Sequence, residues 1–450
     1  MEIKQFEDKN LAHYSYAVLS NGQVALIDPQ RNPQPYYDFA KQHNAVITTV
    51  IETHPHADFV SSHLEIHNST DAAIYVSKLL GAEYEHQTFD DGDAIVLGNI
   101  TLKALNTPGH SPDSISVVAI DATGKPHAVF TGDTLFIGDC GRPDLREKAG
   151  AITAAREELA KQMFWSLRDK LMTLPDDVRI YPAHGAGSLC GKGLSEQNSS
   201  TIGAEKMSNW SLQDMSEQEF IKQLLTDQPF IPKYFPFDVG VNKKGADPFA
   251  ISISNVPHRE PVTCEACTKS LDRNILIIDT RPEEQFKKGH LKKAINLMND
   301  TKFETWLGSI VNPGEPFYLI SENEKVLSRL IERAAKIGYE KQIALAFISD
   351  YGNETMEFFD SEELKTHPGA FTIVDVRNDS EVISDPIFPN AIHIPLHKLR
   401  ERINEIPTDK PIVAHCAAGY RSAAASSIIQ SKLNGTTQVF DLSEAIKEFQ

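Results

Sequence analysis

Residues 51–63 read Ile-Glu-Thr-His-Pro-His-Ala-Asp-Phe-Val-Ser-Ser-His. His54, His56 and Asp58 alternate directly after a β-branched run, so the chain leaves a strand and at once presents three metal-type donors. Residue 59, next to them, is a phenylalanine, which cannot donate to a metal. Three further strand-like runs end in the same way: LKALN leads to His110, AVFTG to Asp133 and RIYPA to His184. Side chains at strand ends on one side of a sheet sandwich converge, because neighbouring strands lie only about 5 Å apart. Imidazole and carboxylate ligands suit zinc, iron or manganese, and two histidines with one carboxylate on a single face leave open positions that suit Fe(II) and O2. One shared metal site is expected.

Outward from that stretch, residues 1–205 alternate short β-branched runs with turns, and AREELAKQMFWSLRDKLMTL, residues 155–174, spaces its apolar residues as a helix does. The class is layered α/β. Residues 206–261 carry a short helix, SEQEFIKQLL, and then QPFIPKYFPFDVG, whose prolines block a continued helix or a central strand and read as a closing arm and linker. Beyond it the chain repeats itself. ILIIDTRPEEQFKKGHLKKAINL and FTIVDVRNDSEVISDPIFPNAIHIPL share a strand, Asp-x-Arg, an acidic helix start and Ala-Ile, about a hundred residues apart, a period that means tandem domains rather than a solenoid. The plan is therefore 1–205, an arm at 206–261, and two related α/β domains at 262–355 and 356–450.

In KPIVAHCAAGYRSAAASSIIQ a strand, a loop and a helix follow one another, with Cys416 at the turn. Backbone N–H groups of Ala417, Ala418, Gly419, Tyr420 and Arg421 can cup an anion there, and the helix points its positive end at the sulfur. Such a setting favours thiolate and persulfide and makes the cysteine a nucleophile, with Arg421 adding positive charge. In the corresponding place of the middle domain stand Ser321-Glu322-Asn323-Glu324-Lys325, with neither cysteine nor glycine, and two acids that would repel a persulfide. That domain reads as catalytically dead.

Length and charge bound the rest. At 450 residues the chain exceeds what one core usually organises. Its 44 basic against 62 acidic side chains give a formal charge of −18, which disfavours nucleic acid and membrane partners. The N-terminus lacks a basic segment followed by an apolar core, and no apolar run reaches about 18 residues, so the chain reads as unprocessed and cytoplasmic. Five scattered cysteines suit a reducing compartment. Cys264-x-x-Cys267 is a lone pair, weak evidence for zinc.

Residues 10–205 resemble the metallo-β-lactamase superfamily, through THPHAD, TPGHS, FTGDTLF and YPAHG, most closely its glyoxalase II and persulfide dioxygenase branch; TIGAEKMSN at 201–209 extends the likeness into the arm. An αββα sandwich is implied. In two-metal hydrolases of that family the first metal takes the matches of His54, His56 and His110, the second those of Asp58, a histidine at position 59 and His184, with Asp133 bridging. Phe59 puts that second site in doubt. Persulfide dioxygenases hold one Fe(II) by the matches of His54, His110 and Asp133, and Phe59 fits that arrangement, drying the neighbourhood of the iron. His63 is a substitute ligand if it shares a helical face with Phe59. His56, Asp58 and His184 then orient the ligands or touch the substrate. Arg142 either clamps a thiol substrate's carboxylate or makes a loop salt bridge. Cys190, six residues after His184, is a candidate relay of sulfur as a transient persulfide.

Residues 360–450 resemble the rhodanese, or sulfurtransferase, domain through Asp375-Val376-Arg377, Ala391 to Pro395 and Cys416 to Arg421, and the middle domain resembles a degenerate one. Related phosphatases place the loop arginine six residues after the cysteine; here the spacing is five, and the smaller cup suits sulfur. The expectation is a sulfide-detoxifying persulfide dioxygenase fused to a rhodanese. One Fe(II) per N-terminal domain oxidises a low-molecular-weight thiol persulfide with O2 to sulfite, and Cys416 moves sulfane sulfur among sulfite, thiosulfate and thiol. A glyoxalase II-like thioester hydrolase fused to a sulfurtransferase is the alternative. Self-association as a homo-oligomer stays open.

Overall fold

The computed structural model describes residues 1–146, 156–433 and 435–450, so Ala155, at the start of the expected long helix, lies outside the described residues. The chain divides into two compact units, Met1–Ser252 with Ala335–Gly338, and Ile253–Ala334 with Tyr339–Gln450.

The first unit stacks two six-stranded sheets. One runs in sequence order through β1 (Glu2–Asp8), β2 (His13–Ser20), β3 (Gln23–Ile27), β4 (Val46–Ile51), β5 (Ala73–Val76) and β6 (Gln87–Thr88); the other is made of β7 (Ala94–Leu97), β8 (Ile100–Asn106), β9 (Ile115–Ile120), β10 (Pro126–Gly132), β11 (Arg179–Pro182) and β12 (Ser200–Thr201). Strand periodicity sorts their side chains into layers. Tyr16, Val18, Ile27, Leu102, Val117, Ala119 and Phe130 fill the space between the sheets. Their neighbours face outward: Leu26, Val50 and Ile74 meet Tyr36, Phe39 and Ile66 from the helices Gln34–Gln42 and His63–Thr70. On the other side Val118, Val129 and Ile180 meet Ala160, Met163 and Leu167 from Arg156–Trp165 and the π-turn Ser166–Leu171. This is the expected αββα sandwich, each buried aliphatic side chain contributing roughly 1.5–3 kcal/mol.

Two local expectations are corrected. The helix of residues 155–174 gives way to a wider π-turn after Trp165. The proline-rich arm also contains a helix, Phe235–Lys244, because Pro236 falls in its first turn, where a missing N–H breaks no bond. Tyr234, Phe235, Val239 and Asn242 are buried there, within the first unit.

In the second unit the sequence repeat is a repeat of topology. The sheet of β13 (Leu276–Asp279), β14 (Ala294–Asn296), β15 (Phe317–Ser321) and β16 (Ile343–Ile348) is ordered β14-β13-β15-β16, and that of β17 (Thr372–Asp375), β18 (Ile392–His393), β19 (Ile412–His415) and β20 (Val439–Asp441) is ordered β18-β17-β19-β20. All pairings are parallel. Each Asp-x-Arg closes the same buried fork, Arg281 on Asp279 at 2.6 Å and Arg377 on Asp375 at 2.7 Å. No helix among the described residues is long and apolar enough to cross a membrane.

Candidate metal centre and sulfur loop

β9 runs antiparallel to both β8 and β10, and β10 runs parallel to β11, so β8, β10 and β11 point the same way and their C-terminal ends share one edge. The other sheet is pinned to that edge where Ile115 N–H donates to the Thr53 carbonyl at 2.9 Å. His54, His110 and Asp133 therefore meet, all buried, with ligating atoms within 4.8 Å of one another. Asp133 Oδ2 lies 3.8 Å from His54 Nε2 and 3.5 Å from His110 Nε2. The Thr53 hydroxyl donates to Asp28 Oδ2 at 2.9 Å, so at 3.1 Å it accepts from His54 Nδ1, which leaves the Nε2 lone pair facing the cluster. Gly132 makes the turn into Asp133 with φ +51°, and a Cβ there would stand 2.5 Å from Thr53 Oγ1. Asp133 Oδ2 is buried without a hydrogen-bond partner, and two imidazoles and a carboxylate suit Fe(II).

His56 turns away from this trio, with Nε2 3.1 Å from Asp28 Oδ1. Burial alone would lower its pKa, but the charge and hydrogen bond of Asp28 outweigh that and raise it to about 9. Burial, reinforced by Asp28, pushes Glu52 up to about 8. His63 sits 3.7 Å from Glu52, and burial pulls it down to about 3. It opens its helix, whereas Phe59 lies in the irregular loop before it, so the expected common helical face does not exist.

Asp58 and His184 lie on the other side of Asp133, and Cys190 joins them. His184 Nε2 is 3.4 Å from Asp58 Oδ2 and 3.5 Å from Asp133 Oδ1. Burial pushes the Cys190 thiol well up. Arg142 is buried too. Its fork is taken by Asp144 at 2.7 and 2.6 Å, while its Nη1 donates to the Leu189 carbonyl at 3.2 Å and its N–H to the Cys190 carbonyl at 3.0 Å. Of the two readings of Arg142, the geometry realises the loop salt bridge, and through it Arg142 positions Cys190.

Sequence reasoning missed three residues. Phe59 is buried between His56, centroids 4.5 Å apart, and His13, 3.8 Å apart. His13 sits at the start of β2, also beside His184, and burial and the neighbouring imidazoles hold it well below the usual range. Asn242 Nδ2 donates to the carbonyls of His56 and Phe59, each at 2.8 Å, and its Oδ1 accepts from Ser61 N–H at 2.8 Å. Tyr234 OH reaches the Asp58 carbonyl at 3.4 Å. None of these stands in a motif.

In the second unit Cys416 follows β19, buried, and its Sγ accepts Gly419 N–H at 3.1 Å. Gly419 has φ +103°, which lets that N–H turn inward. Tyr420 OH donates to the Met298 carbonyl at 3.1 Å, and Ala417 O accepts from Gln450 Nε2 at 3.1 Å. Arg421 closes on Glu381 at 2.5 and 2.7 Å. Burial opposes ionisation of Glu381, but the Arg421 bonds outweigh it and hold that carboxyl below its usual range. Next to β15, Glu322 occupies the place that Cys416 takes after β19, in a cleft shared with Arg281 and Thr263. The sulfurs of Cys264 and Cys267 are 2.6 Å apart, and among the described residues no third donor joins them.

Residues 9–184 match the metallo-β-lactamase superfamily, and residues 265–346 and 360–450 match the rhodanese-like domain. The chain is 33% identical over 176 residues to the cytoplasmic hydroxyacylglutathione hydrolase of Arabidopsis thaliana, covering 38% of this chain and 63% of that protein, less than two thirds of its length. It is 28% identical over 245 residues to the mitochondrial persulfide dioxygenase ETHE1 of Bos taurus, covering 53% of this chain and 85% of that one. Among solved structures, a metallo-β-lactamase from Staphylococcus aureus subsp. aureus COL is 35% identical with a TM-score of 0.69, covering 77% of this chain and 99% of that one.

Proposed function

The chain belongs to the metallo-β-lactamase superfamily and carries rhodanese-like domains, and from that premise we propose that it is a persulfide dioxygenase fused to a sulfurtransferase. The observation that carries this reading is the closed trio His54, His110 and Asp133 beside a position filled by Phe59. Iron bound by that trio supplies activation of O2. The reaction consumes RSSH, O2 and water and yields RSH, sulfite and two protons. Thr53 orients His54, Phe59 and His13 exclude water from one flank, and Asp58 and His184 stand where a persulfide's outer sulfur is held. Cys190 is the first unit's candidate sulfur carrier.

At Cys416 the thiolate attacks the sulfane sulfur of thiosulfate or of RSSH. The S–S bond breaks, sulfite or thiolate leaves, and the persulfide on Cys416 passes its outer sulfur to the next sulfite or thiol. Backbone N–H groups from Ala417 to Arg421 hold the anion, with the Gly419 N–H already on Sγ. This reading keeps the four-part division at residues 205, 261 and 355, a dead middle domain and a cytoplasmic setting, where the thiols stay reduced.

Oxygen uptake by anaerobically iron-loaded protein given a thiol persulfide, with sulfite and thiosulfate quantified and Cys416→Ser alongside, tests it. Rapid uptake with altered product ratios in the variant supports both halves. No uptake, with thioesters hydrolysed instead, favours the second reading, a thioester hydrolase, which the likeness to a hydroxyacylglutathione hydrolase supports.

A further inference from the structure

We propose that Asp58, His184 and Cys190 form a second cation site, chemically distinct from the iron trio and suited to a thiophilic divalent ion such as Zn(II). This goes beyond the reading above, which needs one iron only. The three ligating atoms lie within 4.8 Å of one another and are all buried.

The tautomer of His184 is the decisive feature. Its Nδ1 lies 3.2 Å from the Ala12 carbonyl, which can only accept, so Nδ1 carries the proton and Nε2 the lone pair. That lone pair looks at two carboxylates, Asp58 Oδ2 at 3.4 Å and Asp133 Oδ1 at 3.5 Å. Neither His184 Nε2 nor Asp58 Oδ1 has a hydrogen-bond partner, although both are buried. A buried lone pair facing two anions is a repulsive arrangement that a cation among them turns into an attractive one.

Cys190 supplies the donor that Phe59 withholds. The loop bearing it is fixed from behind, its carbonyl accepting Arg142 N–H at 3.0 Å and its own N–H donating to Ser188 Oγ at 3.1 Å. A thiolate, an imidazole and a carboxylate suit zinc, whereas the iron trio has no sulfur. The two positions share Asp133, whose Oδ2 faces the iron trio and whose Oδ1 faces His184. Binding releases the Cys190 thiol proton to solvent as the sulfur joins the ion.

The test uses full-length protein holding one equivalent of Fe(II), titrated anaerobically with Zn(II) and, as an optical probe, Co(II). The expected result is a second equivalent bound, with a near-ultraviolet thiolate-to-cobalt charge-transfer band. Cys190→Ala removes the band and weakens the second ion about 100-fold or more, and Asp58→Asn weakens it at least about 10-fold. Cys190→Ser, nearly isosteric, removes the band as well, and retained iron reports that the variants are folded. A wild-type protein that binds one equivalent only, or a second ion with the same affinity and spectrum in Cys190→Ala, overturns the proposal. Absent oxygen uptake would sink the dioxygenase reading and leave this metal count untouched.

Discussion

The ring of His13 lies on that of Phe59, centroids 3.8 Å apart and planes inclined at 32°, so the position beside Asp58 is filled by a stack of one neutral imidazole on one apolar ring. Phe59 therefore withholds a donor and leaves Cys190 to supply it. In a Cys190→Ala background, Phe59→His is expected to restore the second-ion uptake that Cys190→Ala loses, and to bring measurable thioester hydrolysis. Metal content after gel filtration and a thioester assay check both. A double variant that still holds iron but neither regains the ion nor hydrolyses thioester would show that Phe59 is not what closes the hydrolytic option.

Asn242 makes three bonds to the loop of residues 56–61 from a helix far away in sequence. Asn242→Ala leaves a buried N–H and two carbonyls without their partners, a cost of about 1–3 kcal/mol for each group that water cannot reach. The loop also bears the alignment of His54. Iron affinity, measured by chelator competition, is expected to fall about 10-fold, with kcat following it. Unchanged iron affinity together with unchanged stability would remove Asn242 from the support of the site.

The iron trio was legible in the sequence because each ligand sits at the end of a β-branched run, and runs of that kind declare themselves locally. The sandwich was legible for the same reason. Its supports were not, since Asn242, His13 and the Arg142 brace of Cys190 act across separations that periodicity does not encode. Pro236 misled for a physical cause: proline ends a helix when it stands inside one and starts one when it stands in the first turn. In the second unit the Asp-x-Arg repeat announced two sheets of one topology, and the spacing from Cys416 to Arg421 announced the loop. That Arg421 spends its fork on Glu381 was hidden, because Glu381 belongs to another helix, Asp379–Ser384.

Arg142 gives a test in which two roles separate. With its guanidinium buried on Asp144 and the Leu189 carbonyl, Arg142→Lys is expected to lower kcat and loosen the Cys190 loop while leaving KM for persulfide within about twofold. The checking measurement is steady-state oxygen uptake across persulfide concentrations. A KM raised tenfold or more at unchanged kcat would return Arg142 to the substrate's carboxylate.

His415, the last residue of β19, is buried next to Cys416, and its pKa is lowered from 6.5 to about 4, first by burial. Asp375 lies 3.6 Å away and would favour the charged ring, but its carboxylate is already held by the Arg377 fork, whose own charge pushes the other way. The folded histidine therefore refuses a proton that the unfolded chain accepts. Its contribution to stability is complete above about pH 6.5, shrinks as pH falls from there towards about 4, and is down by roughly 2 kcal/mol at about pH 5. Urea titrations at these two ends of the window, read by amide exchange in β19, should show the loss in the wild type and a flatter response in His415→Gln, whose side chain does not titrate. Equal losses in both proteins would assign the acid sensitivity of this sheet to another group.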